Sequence, residues 1–365
     1  MGKIKALIKK FFNKRAKKVK TPVVVFESDD WGSIRNSNSQ NIQNVADKYG
    51  LTLDNYQRFD CLESDEDMQK LVEVLDSFEN SKHEKPKFTL NYVMNNPDME
   101  KCVKNEFKTI PMVNVTETYK NSSNSKNVVN IVKENCKTLR PQFHGYEHFN
   151  NNKYSIEIQK DGVDRCSFEN NCIGLNNHIY SNLDAFNDFN NSDDLITKLK
   201  TGLSQFYDTF GFRSKSAVFP CYVWNSKIEK VLPGEGVTVL QGKAVQNVPA
   251  GYDKYHKKFN FMGKKSKDGI VYLNRNVFFE PSRAYMDNVP CEKFIDGILA
   301  DMDYLIKRNI PVVVCSHRVN YVSGISREVR DYSLKCLKMV LDSLLREYPD
   351  LTFMFSDELG ELYGN

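Results

Sequence analysis

The sequence predicts an α/β fold, a (β/α) barrel distorted from regularity and built on seven or eight strands with loop insertions. Three observations predict it. Short apolar runs recur along the 365 residues, helical patterns separate several of them, and no Pro- or Gly-rich linker divides the chain. The runs lie at 23–26, 88–94, 141–144, 217–219, 237–240, 270–273, 311–315 and 351–355. Eight runs at single-domain length favour a barrel over an open doubly wound sheet.

Composition supports a packed body. With 40% hydrophobic and 12% aromatic residues the chain can bury a large core, which excludes a disordered protein. Residues 1–20 carry nine Lys or Arg and no acid, so a net charge of +4 for the whole becomes −5 for the rest. A mildly acidic body argues against a nucleic-acid-binding face. The chain therefore divides into a basic segment, 1–20, and a single domain, 21–365. Ile4, Leu7, Ile8, Phe11 and Phe12 recur at helical spacing among the lysines. Such a helix either packs its apolar face on the domain or lies on an anionic membrane surface. Position 6 is Ala6 where a myristoylation signal wants Ser or Thr.

Nine cysteines, an odd number with no C-x-x-C pair, suggest buried free thiols in a reducing compartment. No run of eighteen apolar residues exists, and Ala6-Leu7-Ile8 is too short for a secretory signal. The expectation is a cytoplasmic protein, peripheral at the inner face of a bacterial membrane through residues 1–20.

The first run opens 23–32, Val-Val-Val-Phe-Glu-Ser-Asp-Asp-Trp-Gly. Glu27, Asp29 and Asp30 crowd the exit of a buried strand, where carboxylates repel and need a cation or proton between them. Helices are expected at 65–79, 193–210, 292–307 and 326–346, and Asn-rich surface loops at 121–130, 150–153 and 170–177. The run at 141–144 ends in His144-Gly-Tyr-Glu147-His148, two imidazoles four apart that can face one ion. The same five residues fit the H-x-x-E-H of inverted zinc peptidases with Glu147 as base, but that motif needs a helix, which Pro141 and Gly145 disfavour. The run at 217–219 leads into Pro220-Cys221-Tyr222-Val-Trp224, a turn whose amides can hold an oxyanion and whose rings can wall a sugar. The run at 311–315 delivers His317 and Arg318. Asp29, Asp30, His144 and His317 all follow strand-like runs, so one face at the strand ends would gather them.

These four stretches, in this order over residues 21–320, resemble the polysaccharide deacetylase family, the carbohydrate esterases of family 4. The resemblance implies a hydrolase that removes acetyl groups from an amino sugar in a polysaccharide or glycan precursor, acting on a C–N amide bond. It implies Asp29 as general base, Asp30, His144 and His148 as ligands of a divalent metal, His317 as proton donor to the leaving amine, and an oxyanion amide near Tyr222. Zinc is the default for two imidazoles and a carboxylate, with cobalt, nickel or iron as other candidates. Trp31, Trp224 and Arg318 are the candidate substrate-binding residues. The chain departs from the family at Trp31, at Gly145 where a Ser or Thr braces the second motif, and at Val218 where an Arg commonly holds the base. Arg318 or Arg213 are candidates to replace that Arg, and Glu280 to supply a further acid. The rival readings are a related barrel hydrolase acting on another sugar bond, a catalytically silent glycan-binding protein, and the inverted zinc peptidase.

Overall fold

The computed structural model describes residues 11–176, 192–250 and 254–364. Nine strands there form one sheet: β1 (Val23–Trp31), β2 (Phe88–Tyr92), β3 (Leu139–Phe143), β4 (Ser216–Ala217), β5 (Val239–Gly242), β6 (Val271–Asn274), β7 (Val277–Phe278), β8 (Val312–His317) and β9 (Thr352–Phe353). Eight run in the order β6-β5-β4-β3-β2-β1-β8-β7, and β9 pairs only with the first two residues of β1. Every pairing in this sheet is parallel. All nine residues of β1 are buried, as befits a strand with helices packed on one face and the side chains of neighbouring strands on the other.

The sheet curls until its ends meet. The terminal strands β6 and β7 are not hydrogen-bonded to each other, yet only Arg275 and Asn276 separate them in sequence. Arg275 N–H donates to the Gly242 carbonyl at 2.8 Å on one side, and Asn276 N–H to the Val313 carbonyl at 3.0 Å on the other. Two residues thus bridge the seam, giving the barrel-like fold that the runs predict.

Several elements differ from expectation. β1 continues past residue 26 to Trp31, so Glu27 to Asp30 lie within the strand rather than in a loop beyond it. Its register with β2 shifts between Ser28 and Trp31, and Asp30 there has φ 74°, a bulge that re-aims side chains at the strand end. The helix expected at 65–79 ends at Asp76; the Ser77 hydroxyl donates to the Val74 carbonyl and closes it. The Asn-rich 150–153 starts a helix, Asn151–Glu157, because the Asn150 side chain caps it from Lys153 N–H. β7, two residues long, gave no apolar run of its own. Two short antiparallel pairs, Asn95–Pro97 with Met112–Asn114 and Val245–Pro249 with Tyr255–Phe259, were also not expected. Residues 1–10 and 177 of the segments discussed above lie outside the described residues.

Helices Asp65–Asp76, Ser192–Phe210, Cys291–Ile306 and Arg327–Glu347 pack their apolar stripes on the sheet. Cys291 and Cys336 pair as a disulfide between the last two, against the expectation of free thiols; the other seven cysteines are free. No described helix is long and apolar enough to cross a membrane. The closing helix Ser356–Gly364 lies so close to β5 that a Cβ on Gly360 would meet Val239 Cγ2 at 2.1 Å. Gly360→Ala is therefore expected to cost about 1–3 kcal/mol by overpacking, read as a lower urea midpoint. An unchanged midpoint would mean that this helix can shift freely.

Candidate active site

The C-terminal ends of the strands gather the polar residues. Asp29 and His317 are direct partners in the register of β1 and β8, so parallel pairing alone sets them side by side. The next residue, Asp30, sits on the bulge and is tied by its carbonyl, which accepts from Ser33 Oγ at 2.7 Å. From β3, His144 N–H donates to the Tyr92 carbonyl at 2.8 Å, and the chain turns back at Gly145, φ 111°, to deliver His148. A Cβ at Gly145 would press on the Glu147 carbonyl and on Pro220 Cδ, both at 3.3 Å, which gives glycine at this positive φ a steric reason.

Three donor atoms converge. Asp30 Oδ1 lies 3.3 Å from His144 Nε2 and 3.1 Å from His148 Nε2. The Val218 carbonyl accepts from His144 Nδ1 at 2.9 Å, which fixes the ring with its Nε2 facing Asp30. Burial opposes charge on Asp30, but His148 and His144 hold its carboxyl well below the usual range. One carboxylate and two oriented imidazoles fit a divalent metal.

Asp29 faces the other way, into a guanidinium fork. Arg275 Nη1 meets Asp29 Oδ2 at 2.5 Å and Nη2 meets Oδ1 at 2.7 Å, while Asn91 Nδ2 donates to Oδ1 at 2.8 Å. Burial alone would raise this carboxyl, yet Arg275, with His144 and His317 nearby, lowers it. Arg275 Nε also meets Glu27 Oε2 at 2.6 Å, and Glu27 in turn accepts from Ser356 Oγ. Arg275, from the barrel seam, is thus the arginine that holds Asp29. Arg318 and Arg213 are not. Arg318 is fully buried against Asp60 and Glu63, and Arg213 is an exposed side chain 4.0 Å from Glu235.

His317 Nδ1 hydrogen-bonds Glu280 and lies 3.1 Å from Tyr56 Oη. Burial would lower its pKa, but Glu280 outweighs that and raises it to about 10. Its Nε2 is 3.9 Å from Asp29 Oδ2. These groups open onto a cavity of about 450 Å³, which Tyr222 and Phe278 also line.

The remaining site expectations fare differently. The Tyr222 N–H donates to the Phe219 carbonyl at 2.9 Å within the turn, so that amide is engaged; its phenol instead meets Arg275 Nη1 at 3.0 Å. Cys221 and Tyr222 both have positive φ, 56° and 59°, a strained corner beside the cavity. Trp31 is fully buried, donates to Ser28 Oγ at 3.0 Å and stacks on Tyr321, so it cannot touch a substrate. Trp224 is likewise buried and donates to Glu229 Oε1 at 2.8 Å. Arg318, buried in its own ion pairs, is no substrate ligand either. The peptidase reading fails on geometry: 144–148 is not helical, and the Glu147 carboxylate is bound to Lys198 at 2.8 Å rather than aimed at the histidines. Arg35, Asn91 and Tyr56 are site residues that the sequence did not single out. Arg35 Nη2 stands 3.8 Å from Asp30 Oδ2 and its Nε 3.1 Å from Asp60.

No protein-family model matches the chain, and no curated protein matches it in sequence. Among solved structures it is similar to 4-alpha-glucanotransferase from Thermococcus litoralis, at 9% identity and TM-score 0.45 over 93% of this chain and 40% of that one. It is similar to Bacillus subtilis PdaA, a family 4 carbohydrate esterase, at 10% identity and TM-score 0.31 over 98% of this chain and 88% of that one. A branching enzyme of GH57 type from Pyrococcus horikoshii is matched at 9% identity and TM-score 0.45, over 94% of this chain and 70% of that one. The chain thus spans well under two thirds of the glucanotransferase, and at these identities none of the three assigns it an activity.

Proposed function

We propose that this chain is a metal-dependent hydrolase that removes an acetyl group from an amino sugar of a glycan. The observation that carries the reading is the convergence of Asp30, His144 and His148 beside an ionised Asp29 and a cationic His317 around one cavity. The three ligands would hold a divalent metal, zinc by donor type, which when bound supplies Lewis-acid polarisation of the acyl oxygen. Asp29, fixed by the Arg275 fork and Asn91, would accept the proton of the attacking water. His317, kept protonated by Glu280, would give a proton to the departing amine. Each oxygen of Asp29 is already aimed by a hydrogen bond, so it needs no reorientation as the proton moves.

A glycosidase would need two carboxyl groups flanking the scissile bond, one free to act as acid. Here Asp29 is clamped by arginine, Asp30 by two histidines and Glu280 by His317. That arrangement favours acyl transfer to water.

Metal content tests the reading without a substrate. Protein purified free of chelator and reconstituted with zinc is expected to hold about one equivalent, and His144→Ala to lose at least nine tenths of it. Wild-type protein that stays empty with zinc, cobalt and nickel would overturn the enzyme reading in favour of a silent glycan-binding protein.

A further inference from the structure

A second surface of the molecule is built unlike the rest. Phe11, Phe259 and Phe278 are exposed by 41%, 59% and 53%, unusual for Phe. Two of them belong to one aromatic cluster: Phe12 lies 5.8 Å from Phe259, 5.4 Å from Phe261 and 5.3 Å from Phe11. The cluster joins the start of the described chain to the hairpin Val245–Pro249 and Tyr255–Phe259, some 250 residues later. Beside it lies a mostly apolar cavity of about 370 Å³, lined by Phe12, Val245, Met262 and Ile310, with Arg275, Asp301 and three asparagines also on its wall. Phe278 lines this cavity and the active-site cavity alike.

Cations surround the rings. Lys14, Arg15, Lys254, Lys257 and Lys264 are all exposed. Three of these charges rest on ring faces or a neutral oxygen: Arg15 sits 3.8 Å over the Phe11 ring, Lys264 5.8 Å over Phe261, and Lys257 on Asn247 Oδ1. Exposed rings over an apolar hollow, ringed by Lys and Arg, match the acyl boundary and anionic headgroups of a membrane surface.

We infer that this face docks the protein on an anionic phospholipid bilayer, with Phe11, Phe12 and Phe259 in the interface and the active-site mouth held beside it through Phe278. A second copy of the chain would set like charge against like charge across the same face. Nucleic acid would use the cations, but the rings here are packed on one another over a hollow that fits an acyl chain better than a base. The inference is independent of the reaction proposed above.

Co-sedimentation of the full chain with vesicles tests it. The protein is expected to bind phosphatidylglycerol–phosphatidylcholine vesicles at least ten-fold more tightly than phosphatidylcholine alone. The double substitution Phe11→Ser with Phe259→Ser, at exposed positions and checked by circular dichroism for an unchanged fold, should weaken that binding at least ten-fold. Equal binding of the variant and wild type would overturn the assignment of this face, leaving the basic residues 1–10 as sufficient. Absence of vesicle binding with concentration-dependent dimers in sedimentation velocity would overturn it in favour of self-association.

Discussion

Asp29→Asn is expected to lower turnover on an N-acetylated glycan by about 10²–10⁴-fold while leaving metal content at the wild-type level. The substitution keeps the shape of the side chain and an oxygen to accept from Asn91 and Arg275 Nη2, but sets an amide NH2 against Arg275 Nη1, so an unchanged fold is checked by circular dichroism. What it removes is the lone pair that takes a proton from water. The Arg275–Glu27 ion pair persists, and Tyr222 Oη and Cys315 Sγ remain beside Arg275 Nη1, so the guanidinium is not stranded. Acetate release measured beside metal analysis separates the roles proposed for the neighbouring acids, proton transfer for Asp29 and ion binding for Asp30. Comparable acetate release by wild type and Asp29→Asn would remove Asp29 from the role of base. Loss of metal in the variant would instead place Asp29 among the ligands.

The second large effect belongs to Arg275→Met. Arg275 is fully buried and is the shared counter-ion of Glu27 and Asp29, both of them buried carboxylates. Replacing it with an apolar chain of similar length leaves those acids without compensation, which for a buried pair broken on one side costs about 3–5 kcal/mol. Burial already raises the Glu27 pKa even with the guanidinium present. Without it both acids would take up protons, and Asp29 would cease to be a base. Urea unfolding should therefore show a much lower midpoint together with lost turnover. Combining Arg275→Met with Glu27→Gln should restore part of the stability, because one buried charge is gone, but none of the activity. A single Arg275→Met variant as stable as wild type would contradict the claim that this guanidinium carries the two acids.

Arg275 also shows where the sequence could be read and where it could not. Asp29, Asp30, His144, His148 and His317 were legible because each follows an apolar run within a few residues, and parallel strands align their ends. Arg275 obeys the same rule, since it directly follows β6, but an arginine is common at loop starts and carries no short-range signature. Its partner is 246 residues away, a contact that only the closing of the sheet creates. The two tryptophans failed for a different reason. Trp31 ends β1, where the bulge at Ser28 to Trp31 breaks the alternation that would have told inside from outside, and Trp224 follows the positive-φ corner at Cys221 and Tyr222, where no strand period sets the direction of a ring. The eight runs all mark strands of the sheet, yet β7 was missed because only Arg275 and Asn276 separate it from β6, and the two antiparallel pairs were missed because Asn95-Asn-Pro, Met112-Val-Asn and the Lys-rich Tyr255–Phe259 carry no apolar alternation.

The seam of the barrel has a consequence for how the protein becomes competent. Residues 275 and 276 must reach β5 on one side and β8 on the other before the last gap is spanned. The guanidinium arrives at Glu27 and Asp29 in that same event. With the seam open, Glu27 and Asp29 would lie side by side as an acid pair with no arginine between them. Closing the barrel and compensating its two buried acids are therefore one structural event, so a variant that loosens the seam is expected to loosen the setting of Asp29 as well.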